Sequence, residues 1–332
     1  MFTKPIHTKL LLGFLFIAAL FLPLYVPDSY MFQIVITSLL FAIATSSMNL
    51  ILGYTGQASL AHGAFFGVGA YVVAIMTKAG WSFWIALPVS GLVATGIGFF
   101  IGLFAFRTRG HFFAIVTLCF GVILFQVAEN WIEVTGGQNG IFGLDSATPI
   151  PFPFFGPIEF SSQPAQYYLV LAVLLLTLFV LHRVVYSIFG LTFMAIRNNE
   201  ELADALGINT FATKMVSFAI ANFIAAIAGG IYATILGAVS PSAISIMITF
   251  NFLIFLILGG MATLPGAVIG AFMIPIIMEF LQFMENYRML FFGALLVVVI
   301  IWFPMGFFGG LKTINQKIIA WRQSNTSEDS NA

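Results

Sequence analysis

The sequence predicts an all-α polytopic membrane protein, on three observations. Of 332 residues, 61% are hydrophobic and only 7% charged, where a soluble domain carries roughly a quarter charged. Apolar runs near the roughly 20 residues that an α-helix needs to cross the hydrocarbon recur along the whole chain. The 12 lysines and arginines fall almost entirely on one side once those runs are treated as spans. The mean hydropathy of +1.06 agrees. The 39 phenylalanines and 31 glycines suit lipid-facing surface and close helix packing. A net charge of zero gives no basis for nucleic-acid binding.

About ten crossings are expected, near 10–26, 30–51, 62–77, 82–106, 111–130, 166–182, 212–237, 247–260, 266–284 and 289–304. The first run follows Lys4 and Lys9 and has the outline of a signal peptide. Only Pro27-Asp28 follows it, not a small-x-small cleavage site, so a retained span is expected. The runs at 62–77 and 247–260 are short, and each adjoins a glycine-rich break. Between the fifth and sixth spans, 131–165 carries Pro149, Pro151, Pro153, Pro157 and Pro164. These argue against helix, and the segment is expected to cap the external face.

With the N-terminus inside, the inner side holds Lys4, Lys9, Arg107, Arg109, Arg183, Arg197, Lys214, Lys312, Lys317 and Arg322. The outer side holds Lys78 and Arg288, which completes the 12. Basic residues accumulate on the cytoplasmic side of membrane proteins. The pattern therefore predicts an even number of crossings and cytoplasmic termini. Residues 1–332 form one transmembrane domain, with an external segment 131–165, a cytoplasmic segment 187–213 and a cytoplasmic tail 305–332.

Two interruptions stand out. Residues 53–63 read GYTGQASLAHG and residues 259–266 read GGMATLPG. Backbone that leaves the helix at membrane depth survives only where protein or a water-filled cavity satisfies it. Paired breaks in two halves of a transporter often mark a central pathway between inverted repeats, and an inverted repeat is a candidate here. Gly259, Gly260 and Gly266 read equally well as a tight turn. Gly53, Tyr54, Gly56, Gln57, Ser59 and His62, with Thr55, offer more hydrogen-bonding groups than a plain turn needs. Pathway lining or support of the break is the reading for them, with His62 a structural histidine. Asn49, Asn222 and Asn251 are expected to bond between helices. Gln126, Glu129, Glu279 and Gln282 fall near external span ends. A proton relay would place paired acids at the midplane, and none falls there.

Cys119 cannot form an intrachain disulfide and reads as a buried small hydrophobe. His7, His62, His111 and His182 have no metal-ligand spacing.

The most polar stretch is Arg197–Gly207, with Arg197, Glu200, Glu201 and Asp204 among eleven residues. Charges this dense cannot sit in hydrocarbon, so it lies in water. Asn198 is the expected N-cap, with Glu201 completing a capping box. Gly207 is the expected stop. A helix of about two turns is unstable alone in water and needs a partner, for which Ile196, Leu202, Leu206 and Ile208 offer apolar contact. An interfacial helix is the alternative, weakened by its acidic charge and small apolar face.

Glu201-Leu202-Ala203-Asp204-Ala205-Leu206-Gly207 fits the E-x-A-x-x-x-G core of the EAA loop of bacterial ABC importer permeases, departing at Leu202, where the consensus has alanine. The chain more closely resembles the high-affinity branched-chain amino acid permease family. Ala195 to Glu200 matches A-I-R-x-N-E, with Asn199-Glu200 as its N-E pair. Asn49 to His62 matches N-L-x-x-G-Y-T-G-Q-x-S-L-x-H. Arg107 to Leu118 matches R-x-R-G-x-x-F-A-I-V-T-L. Thr135 to Gly140 matches T-G-G-x-x-G, and Leu258 to Gly266 matches L-G-G-x-x-x-L-x-G. Single motifs are weak, but the ordered set covers residues 49–266.

The resemblance implies a type II ABC importer-like permease of the bacterial inner membrane. It implies a second homologous permease, two cytoplasmic ATP-binding subunits and an external binding protein as partners. Arg197, Asn199, Glu200, Glu201, Ala203 and Gly207 would couple to the ATPase, where ATP and magnesium bind. Thr135, Gly136 and Gly137 would lie at the external face. The sequence contains no G-x-x-x-x-G-K-[ST] phosphate loop of its own. Permeases for urea or short-chain amides look alike and are the alternative within this machine. An ion-coupled secondary carrier is a remoter one. A membrane-embedded enzyme would need clustered acid, base or metal residues, and the sequence has none.

Overall fold

The structure is a computed structural model that describes residues 21–23, 29–108, 110–152, 156–281 and the single positions 293, 297, 301 and 306. The spans expected at 10–26 and 289–304 and the tail at 305–332 lie outside the described residues except at those few positions.

The apolar run expected at 30–51 forms α1, Ser29–Met48, which continues as a π-helical turn over Asn49–Tyr54. After a non-helical stretch come α2, His62–Lys78, and α3, Phe83–Ala105. Helix α4 covers His111–Asn130, with a single turn, α5, at Ile132–Thr135. Helix α6 is Gln163–Val185, followed by α7, Ile188–Asn198, and α8, Glu200–Ala205. The longest helix is α9, Thr210–Leu236. The last described helices are α10, Ile246–Gly259, and α11, Leu264–Phe280.

Five stretches among the described residues are long and apolar enough to cross a membrane, and the bent pair α10–α11 makes a sixth if it is one span. Eight crossings were expected over these residues. The difference lies in α2, α10 and α11, of 17, 14 and 17 residues. At 1.5 Å per residue, 14 residues reach about 21 Å, well short of a hydrocarbon core of about 30 Å. Helices α10 and α11 meet at 117° across a four-residue break. Among the described residues they pass the length and apolarity test only together, as a broken span or a re-entrant loop.

Helix α9 is central and packs on α2, α3 and α1. Glycines make this possible. A Cβ at Gly69 would collide with the Ala226 backbone, and one at Gly229 with the Phe66 carbonyl. Without a hydrophobic drive between helices in lipid, such backbone contact is what holds spans together. Helix α4 is the most exposed span, and Cys119 on it is exposed rather than buried. The expectation of a buried thiol fails because α4 turns most of its surface away from the other described helices. Asn222 is buried, but its side chain has no hydrogen-bond partner among the described residues, so it is not an interhelical bond. Asn251 instead lines a groove with Gln33 and Thr37.

The segment 131–165 is not wholly non-helical. It opens with α5, and Pro164 sits in the first turn of α6, where a missing N–H costs nothing. Between them lie short strands. β1, Ile141–Phe142, pairs antiparallel with β4, Ala238–Val239, directly after α9. β2, Ile150–Phe152, pairs with β3, Gly156–Ile158. Thr148 receives the Trp84 indole N–H on its carbonyl and bonds the Ser82 hydroxyl. The segment is thus tied to the starts of α3 and β4 at one end of the bundle.

Candidate functional site

At the opposite end lies the charged segment. It is two helices, not one. Helix α7 carries Arg197 in its last turn, Asn199 is extended, and α8 follows. The N-cap is Asn199, not Asn198: its side-chain oxygen accepts from Leu202 N at 2.9 Å. Asn198 belongs to α7, so the expected capping box with Glu201 does not form. Gly207 does end the helix, at φ 86°. Its N–H reaches the Asp204 carbonyl at 2.9 Å and Ile208 N reaches the Ala203 carbonyl at 3.1 Å. This paired closure is the Schellman motif. Ala203 and Ile196 are buried against the protein, whereas Leu202 and Leu206 are exposed.

Two contacts tie the segment to the bundle. Lys214 on α9 is 2% exposed, and its ammonium meets the Glu200 carboxylate at 2.6 Å. The same ammonium lies 5.6 Å over the Phe106 ring at the end of α3. The second contact is between Arg197 and the first break. A Cβ on Gly56 would lie 3.0 Å from the Arg197 side chain, and Gly56 has φ 77°. The conformation therefore favours glycine there, and a side chain would crowd Arg197.

The two breaks touch each other. The Asn49 carboxamide accepts from Ala262 N and donates to the Thr263 carbonyl, each at 2.9 Å. Gly53 faces this contact, and a Cβ there would lie 2.7 Å from Ala262 N. Gly259, Gly266 and Gly270 let α10 and α11 cross with backbone against backbone. Ala262 has φ 58°, a conformation uncommon outside glycine.

His62 opens α2 and is fully buried, with Nε2 at 2.9 Å from the Ser47 hydroxyl and 3.2 Å from the Ala44 carbonyl. It is level with Ser47, so α2 begins about 10 Å inside the Tyr54 end of α1 at 1.5 Å per residue. Its first turn meets the start of α10, where Gly63 N donates to the Thr249 hydroxyl at 2.9 Å. Leu60 N donates to the Thr117 hydroxyl on α4 at 3.0 Å. Beside this junction is a cavity of about 140 Å³ lined by Leu60, Ala64, Gly121, Ser245 and Thr249, among others. Gln57 is half-buried, and Ser59 is buried with its hydroxyl unpartnered among the described residues.

A family model described as the permease component of branched-chain amino acid transport systems matches residues 30–300. The chain belongs to that family. It is 30% identical to the high-affinity branched-chain amino acid transport system permease protein LivM of Escherichia coli K12, over 91% of this chain and 75% of that protein. It is 25% identical to the LivH permease of the same system in that strain, over 81% and 91%. The autoinducer 2 import system permease protein LsrC of Yersinia enterocolitica is 26% identical, over 78% and 71%. No solved structure matches significantly.

In this permease, then, the first break lies against both the second break and the charged segment. Thr135, Gly136 and Gly137 lie apart from them, closing α4. The Thr135 hydroxyl donates to the Ala128 and Trp131 carbonyls, each at 2.7 Å, and Gly136 and Gly137 both have positive φ. Sequence reasoning missed the Lys214–Glu200 pair; it foresaw Asn49 bonding between helices, but not that its partner is the second break. The signal for Lys214 was a lone cation just inside an apolar span.

Proposed function

We propose that this permease is one membrane subunit of an ATP-driven importer for branched-chain or related amino acids in the bacterial inner membrane. A second permease, two ATP-binding subunits that hold ATP and magnesium, and an external binding protein complete it. The reading rests chiefly on one observation. The charged segment is folded, capped at Asn199, closed at Gly207, and tied to the bundle through Glu200–Lys214. A helix of one to two turns holds such a fold in water only with a supporting surface. The bundle supplies one side, and exposed Leu202 and Leu206 supply an apolar contact for an ATPase groove on the other. Arg197, Asn199, Glu200, Glu201, Ala203 and Gly207 are the coupling residues in this reading. The two breaks, with Gly53, Tyr54, Gly56, Gln57, Ser59, His62, Gly259, Gly260 and Gly266, support or line the pathway. Thr135, Gly136 and Gly137 serve the external face, where the binding protein docks.

Reconstitution with the ATPase and binding protein tests this. ATP-dependent uptake of labelled leucine is the expected result, and uptake of urea or a short amide in its place would overturn the substrate assignment. Uptake that persists without ATP or the ATPase would overturn the importer. Gly207→Pro or Glu201→Lys should weaken pull-down of the ATPase while membrane insertion persists. Full pull-down and full uptake in both would remove the coupling role.

A further inference from the structure

We propose that Lys214 is a positioning residue that carries movement of α8 into the central helix α9. The proposal rests on the coupling reading above. Lys214 is the buried cation of α9, at 2% exposure, and its ammonium has two neighbours of distinct kind. One is the Glu200 carboxylate, at 2.6 Å, on the first residue of α8. The other is the Phe106 ring, at 5.6 Å. Phe106 is itself fixed. It stacks on Phe113 of α4 at 4.8 Å and meets Phe218 of α9 edge-on at 5.6 Å. The ends of α3, α4 and α9 are therefore locked into one aromatic knot, and the ammonium sits against it.

A charge held this far from water is costly to leave unpaired. Glu200 therefore cannot move away from Lys214 without exposing or stranding the cation, and displacement of α8 must draw α9 with it. Helix α9 packs on α1, α2 and α3, so it is the helix best placed to pass that movement on. Charge pairing suits this task better than apolar contact would. Leu202 and Leu206 point away from the bundle, and of the apolar side chains in α8 only Ala203 is buried.

The test uses the complete transporter in proteoliposomes with three variants: Lys214→Met, Lys214→Arg and Glu200→Gln. Methionine keeps most of the apolar stem and removes only the charge. Labelled substrate uptake, ATP hydrolysis and ATPase pull-down are measured together. Lys214→Met should retain pull-down and hydrolysis while substrate imported per ATP falls about tenfold, within the range of ordinary coupling energies, and import per ATP should fall likewise in Glu200→Gln. Lys214→Arg, which keeps the charge, should restore most of it. Unchanged import per ATP in Lys214→Met and Glu200→Gln would overturn the proposal. So would a proportional fall in uptake and hydrolysis with no rescue by arginine, which marks a purely structural residue. Loss of ATPase pull-down in Lys214→Met would assign it to docking and overturn transmission. If Lys214→Met fails to accumulate, Glu200→Gln decides, since Glu200 is 28% exposed and tolerates neutralisation better. Failure of the coupling reading itself would show differently, as wild-type permease that neither captures the ATPase nor needs ATP.

Discussion

The carboxamide of Asn49 is bonded to the backbone on both sides of Ala262, accepting its N–H and donating to the Thr263 carbonyl at 2.9 Å each. One side chain thereby satisfies the Ala262 N–H, which the break between α10 and α11 leaves without a helical partner, and adds a second donor to the Thr263 carbonyl, which also accepts from Ala267 N. It sits where α1 changes into a π-helical turn, a form that recurs at functional sites. Asn49→Leu should destabilise the protein by about 1–3 kcal/mol, because it strands the Ala262 N–H. A lowered thermal unfolding midpoint in detergent and reduced uptake are the expected results. An unchanged midpoint would mean that water replaces the carboxamide.

Glycine substitutions separate contact from composition. Gly69→Ala drives a methyl into the Ala226 backbone of α9, whereas at Gly96 of α3 nothing lies within 4 Å. Gly69→Ala should therefore lose folded protein in the membrane. Gly96→Ala should match or exceed the parent in thermal stability, since alanine favours helix by about 0.5–1 kcal/mol. Equal behaviour of the two would contradict the packing of α2 on α9.

The fold class was legible because lipid imposes length and apolarity on every span, and those are visible residue by residue. The 111–130 run emerged with those limits as a helix, and Gly207 ended α8 as its position suggested. What the sequence concealed are relations between distant residues. Asn198 and Asn199 are both capable caps, and only the length of α7 decides between them. Cys119 sits in an apolar run whether it faces protein or not, so its exposure could not be read. Lys214 could be read only as one of the inner-side basic residues for the same reason: its partner lies fourteen residues back, on a helix whose orientation is fixed by tertiary contact.

Ala262 holds φ 58° without being glycine, a conformation that costs an L-residue about 1–2 kcal/mol. Ala262→Gly should be tolerated with a small gain in thermal midpoint, because relief of strain slightly outweighs glycine's entropic cost of about 0.5–1 kcal/mol. Ala262→Val should lower it clearly, since a β-branched side chain is a genuine outlier at positive φ. The order Gly, Ala, Val in falling stability is the expected readout of a melting series. Valine equal to alanine would mean that the Asn49 clamp tolerates a different backbone at this turn.

The orientation proposed for the permease has a direct test. Cys119 is the chain's one cysteine, so Cys119→Ser gives a clean background for labelling. Asp145 lies exposed in the segment tied to β4 and the start of α3, and Asp204 lies exposed on α8. They occupy opposite ends of the bundle. In that background Asp145→Cys should react with a membrane-impermeant maleimide applied to spheroplasts, and Asp204→Cys should react only after permeabilisation. Basic residues set this direction, because Arg107, Arg183, Arg197 and Lys214 gather at the α8 end and Lys78 at the other. The reverse labelling pattern would place α8 outside the cell, out of reach of any cytoplasmic ATPase, and would remove the coupling reading with it.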